Sequence, residues 1–138
     1  MRRTLVFVIA LCASTWLAAA GRQASATAPK RGGNPEAAKI TNPVPSTPES
    51  IGQGRRAYQR LCSRCHGPQG KGDGSAATSV QPPDLTDDQW DYGSSDGDVF
   101  AVIHDGTSID MEGYAARMSD TDIWNVVNFL RSLSPAKK

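Results

Sequence analysis

Cys62-Ser63-Arg64-Cys65-His66 is the stretch on which the reading of this chain turns. Two thiols separated by two residues, with a histidine directly after the second, form the spacing of c-type haem attachment. The spacing has a chemical reason. On one helical turn both thiols can add to the two vinyl groups of a single haem, and His66 is then aimed at the iron as its first axial ligand. Covalent links also hold the group in a small chain. Two other readings of the cysteines are weaker. A thioredoxin-like dithiol expects a βαβ surrounding, and no segment here alternates as a strand. A zinc site needs further ligands, and the only other histidine is His104, with no second cysteine pair.

Outward from the motif, the pattern is helical. Thr47 caps a helix with Pro48 at its first position, and Ile51, Gly54, Tyr58 and Leu61 recur at helical spacing into Cys62. Gly67 to Gly74 must be loop, and Pro82 and Pro83 forbid helix around them. Ser95 with Asp98 opens a short helix that Gly106 ends, and Ser119 with Asp122 opens the last one. Ile123, Val126, Val127, Leu130 and Leu133 form its apolar stripe, and Pro135 stops it. The class is all-α with long loops, which leaves room for something other than side chains in the middle.

The second axial ligand decides what such a haem does, because a closed iron carries electrons and an open one catalyses or binds gases. The candidates are Met111, Met118 and His104. Met111 lies in the loop between the last two helices, which can fold over the far face of the haem. Met118 precedes the capping Ser119, where a staple onto Ile123 is expected. His104, near a helix end, can cap carbonyls or face water.

The chain has 138 residues, 38% hydrophobic and 7% aromatic, which suits one modest domain with a stapled core. Six of the 15 basic residues and one of the 14 acidic ones precede residue 48. Nine basic against 13 acidic residues remain after it, a net of −4 that argues against nucleic acid. Arg2 and Arg3 followed by apolar Leu5 to Ala20 have the layout of a signal peptide over 1–20, with cleavage as late as 26. The run is shorter than the roughly 20 residues of a spanning helix, so a membrane anchor is the lesser reading, and Cys12 falls inside it. Residues 21–47, rich in Pro and Ala, read as a flexible linker, and 48–138 as the folded domain.

The sequence resembles the class I cytochrome c family over about residues 48–135, most nearly the monohaem domains of bacterial respiratory chains. The pieces are Gly54 to Tyr58 before the motif, His66 to Gly74 after it, Pro82 to Thr86, Gly93 to Phe100, Met111 to Tyr114, and Ser119 to Trp124 leading to Leu133. The resemblance implies a cytochrome c fold of three to four helices around one covalent haem c, with the first and last helices crossing at Gly54 and Tyr58 near Phe129. It implies Met111 as the distal ligand, and a carbonyl of Pro82 or Pro83 as partner to the outer nitrogen of His66. Where the family has proline after that methionine, this chain has Glu112. A looser loop and a charge that lowers the potential are the expected results.

The expected function is periplasmic shuttling of single electrons between redox proteins: dehydrogenases, cytochrome complexes or terminal oxidases. One alternative is a peroxidase-like or gas-binding haem with a labile sixth ligand. The other is a membrane-anchored haem subunit of a larger oxidoreductase. Trp90, Tyr92 and Trp124 are expected to pack on the haem or between helices. Asp84, Asp87, Asp88 and Asp91 form either a solvated face, a docking patch for a basic partner or a calcium site.

Overall fold

The computed structural model describes residues 25–76 and 81–133. The expected signal peptide at 1–20 and the stop at Pro135 lie outside them. Helix α1 (Pro48–Leu61) begins at Thr47, whose hydroxyl accepts from the Ser50 amide while Ser50 returns a bond to the Thr47 amide. Its last turn runs through Cys62 into a single further turn, α2 (Ser63–His66). Helix α3 (Asp96–Asp105) starts in the same reciprocal way, between Ser95 and Asp98, and ends at Gly106. Helix α4 (Asp120–Leu133) starts at Ser119, whose Oγ accepts from the Asp122 amide at 3.2 Å. Each cap satisfies amides that a helix start leaves unpaired.

The principal packing is α1 on α4. Gly54 permits it, because a Cβ there would collide with the Asn125 carbonyl oxygen. The contact buries Tyr58, Phe129, Ile123, Val126 and Val127 completely, with the Tyr58 and Phe129 rings 5.1 Å apart. Burial of each such side chain contributes about 1.5–3 kcal/mol. Met118 belongs to this cluster. α3 closes the third side against α4, with Phe100 and Trp124 stacked at 4.1 Å.

Residues 25–47 differ from the linker expected of their composition. They form a strap along α3 and α4 that includes a 3-10 turn at Ala37–Lys39. Ala37 is fully buried, and Gly97 of α3 admits the turn because a Cβ there would strike the Ala37 carbonyl. The strap is held mainly by polar contacts. The Asn34 amide donates to Asp98 at 2.9 Å, Asn42 donates to Asn128 at 2.9 Å, and Asn128 donates to the Val44 carbonyl at 3.0 Å. Hydrogen bonds of this kind contribute about 1 kcal/mol each. They offset the ordering cost of a segment with little apolar surface.

Candidate haem site

The haem motif sits where α1 becomes α2. The His66 amide reaches back to the Cys62 carbonyl at 2.9 Å, and the glycine-rich loop caps the far end of the turn. Gly72, Gly74 and Ala76 donate to the carbonyls of His66, Cys65 and Arg64 at 2.9, 3.1 and 2.8 Å. Tyr58 supports the turn from beneath, its buried hydroxyl donating to the Gly67 carbonyl at 2.7 Å. Tyr114 donates to the Leu61 carbonyl at 3.0 Å.

Cys62, Cys65 and His66 face a cavity of about 640 Å³ whose walls include Leu61, Leu85, Trp90, Val99, Ile103, Val126 and Leu130. Met111 and the prolines Pro82 and Pro83 line the same cavity. Met118 does not; it is packed in the core at 9% exposure. His104 also lies elsewhere, with Nδ1 2.6 Å from Asp105, Nε2 3.7 Å from Asp120 and its ring on Phe100. Of the three aromatics expected to pack on the haem or between helices, Trp90 and Tyr92 line the cavity, and Trp124 is in the core.

Burial dominates the electrostatics. It pushes the Cys62 thiol up to about 12, with Cys65 adding to the shift, and formation of a thioether would remove that titration. Burial also lowers the pKa of His66, opposed by the Pro83 carbonyl. The imidazole is therefore held neutral, the form that ligates metal. The Pro83 carbonyl acts on the ring without meeting hydrogen-bond geometry. His66 Nδ1 is the one buried side-chain polar atom without a partner among the described residues. Pro83 is thus the neighbour of the ring, and the hydrogen bond to it is not formed.

The acidic run is tied locally. Asp84 is 3.2 Å from Lys71, and its carboxyl is held low chiefly by the Thr86 hydroxyl and amide. Asp87 accepts from the Gln89 amide, and Asp91 is 3.6 Å from Arg31. Among the described residues no three or more His, Cys, Asp or Glu are grouped to hold a metal ion. Sequence reasoning missed the two guanidiniums that line the cavity, Arg31 and Arg117. Arg31 falls in the stretch taken for a linker, and nothing local marks it.

Two thiols a turn apart, a half-buried neutral imidazole and an apolar cavity of this size fit haem c, and together they define a c-type cytochrome domain. Residues 49–130 match the family described as cytochrome c oxidase, cbb3-type, subunit III, and the chain belongs to that family. It is 30% identical over 84 residues to the cbb3-type cytochrome c oxidase subunit FixP of Bradyrhizobium sp. (strain ORS 278). It is 25% identical over 85 residues to subunit CcoP of Azospirillum brasilense. These stretches cover 61% and 62% of this chain but only 28% and 29% of those relatives. In structure it is similar to the reducing HAO-like protein complex of Kuenenia stuttgartiensis, with TM-score 0.64 and 28% identity over 71% of this chain and 49% of that one. It shares the fold of cytochrome cL from Methylophaga aminisulfidivorans, with TM-score 0.54 and 23% identity over 73% of this chain and 59% of that one. No helix among the described residues is long and apolar enough to cross a membrane.

Proposed function

We propose that the chain is an exported, periplasmic electron carrier in which His66 and Met111 would hold the iron of a haem linked to Cys62 and Cys65. The supporting observation is one cavity whose lining includes both motif thiols, His66 and Met111. Haem iron, when bound, supplies a one-electron change of valence. The chain's own part is to hold it by Cys62 and Cys65, to present a neutral imidazole, and to keep water from the apolar walls. A sulfur ligand opposite histidine favours a high potential. The remaining histidine, His104, is engaged by Asp105 and Asp120 away from the cavity and supplies no distal base for peroxidase-like chemistry. Partners are other redox proteins of dehydrogenase, cytochrome or oxidase type.

Family membership favours a second reading that shares this chemistry, in which the domain serves as a haem subunit of an oxidase complex. Fractionation of the host separates the two, since a soluble shuttle leaves with the periplasm and a subunit stays with the complex.

Absorption spectra of the haem-loaded protein test the ligation. A weak far-red band in the ferric wild type, absent in Met111→Ala, is the expected result. A ferric wild type lacking the band, and a ferrous form that takes up carbon monoxide readily, would overturn it.

A further inference from the structure

Haem brings two propionate carboxylates as well as iron. A carboxylate drawn into a partly apolar cavity needs a cation or several donors. Among the described residues lining the cavity the permanent cations are Arg31 and Arg117, and the carboxylates are Asp91, Asp110 and Glu112. Arg117 is engaged on the Met111 side, 3.6 Å from Glu112 and over the Tyr114 ring at 4.2 Å. Arg31 stands beside Asp91 and Tyr92, 3.6 Å from the carboxylate and 5.6 Å from the ring centroid. The pair is 77% and 69% exposed and beyond hydrogen-bond length, so it holds the guanidinium weakly.

The strap is built to bring Arg31 there. Gly32 and Gly33 follow it with φ of +80° and +95°, a left-handed pair that side-chain-bearing residues rarely adopt. The Gly32 amide donates to the Asp91 carbonyl at 2.7 Å, and the Asn34 amide to Asp98 at 2.9 Å. The arginine is thus pinned to the cavity rim by a segment outside the family-matched residues 49–130.

We propose that Arg31 is a haem-carboxylate-binding residue supplied by the strap, its planar fork taking a propionate in place of Asp91. The inference rests on the covalent haem and not on the sixth ligand. A guanidinium on the propionate keeps it ionised to lower pH. Losing a propionate proton adds negative charge, favours ferric iron and lowers the potential.

The test is the reduction potential of the full haem-loaded chain against pH for wild type, Arg31→Gln and Arg31→Lys. Arg31→Gln is expected to lower the potential and to move its proton-linked fall to higher pH, with Arg31→Lys between the two. An Arg31→Gln curve that coincides with wild type, or lies below it by the same amount at every pH, would overturn the proposal. A constant offset is what a charge acting only through solvent produces. The ferric far-red band is recorded on the same samples, so failure of the Met111 reading is seen separately from failure of this one.

Discussion

His66 and Met111 line one cavity from backbones of different kinds. His66 ends a helical turn whose carbonyls are each taken by an amide of the glycine-rich loop, with the Tyr58 hydroxyl bonded beneath. Met111 sits in a turn joined by fewer bonds. Its carbonyl accepts from Thr107 at 2.9 Å, its amide donates to Ser108 Oγ at 3.3 Å, and Gly106 bridges Glu112. Two residues before it, Ile109 is 92% exposed. The difference teaches where fixed geometry is needed. In the proposed haem site two covalent bonds, at Cys62 and Cys65, and a ligand, at His66, would have to form around α2 at set distances, and that side is anchored to the α1–α4 core. The proposed Met111 ligand is one non-covalent contact from a loop, and it asks less of its backbone.

The largest effect should come from the core that delivers the motif. Gly54→Val drives a side chain into the Asn125 carbonyl and is expected to cost about 3 kcal/mol in thermal unfolding of the haem-loaded protein. Full stability in this variant would mean that α1 is not set by α4. Tyr58→Phe comes next, at about 1 kcal/mol for the lost hydroxyl bond, with a pH signature. Burial raises the Tyr58 pKa above its ordinary value, ahead of contributions from Cys62 and Asp73. The folded state then holds the phenolic proton more tightly than the unfolded one. Its contribution is whole below the ordinary pKa of about 10 and is lost as pH rises beyond it. Alkaline unfolding curves should therefore be shallower above pH about 10 in Tyr58→Phe, and parallel curves would remove the hydroxyl from the account.

On the distal side the effects should fall on potential rather than stability. Glu112→Pro removes a carboxylate paired with Arg117 at 3.6 Å, and the potential measured by titration should rise. An unchanged potential would show that the pair screens itself from the iron. Ile109→Ser should change unfolding by less than about 0.5 kcal/mol, and a larger loss would mean that the turn is packed as firmly as the motif.

Much of the site was legible because its signals are local. The caps at Thr47, Ser95 and Ser119 each lie within three residues of their partners, and the attachment motif lies on adjacent turns. Gly54 and the α4 stripe pointed to the helix pair that frames the cavity. The strap was not legible. Its bonds join residues 64 and 86 positions apart, Asn34 to Asp98 and Asn42 to Asn128. Its Pro- and Ala-rich composition carries no periodic apolar face that would announce burial.

By itself the sequence determined the helical class, the helix starts and the covalent chemistry, since capping and thioether formation depend on residues a turn apart. Only the tertiary structure decided that Met111 lines the cavity while Met118 fills the core, and that Arg31 stands at the cavity rim. Those assignments depend on which distant surfaces meet, and polar bonds and close backbone approaches at glycine leave no repeating pattern along the chain.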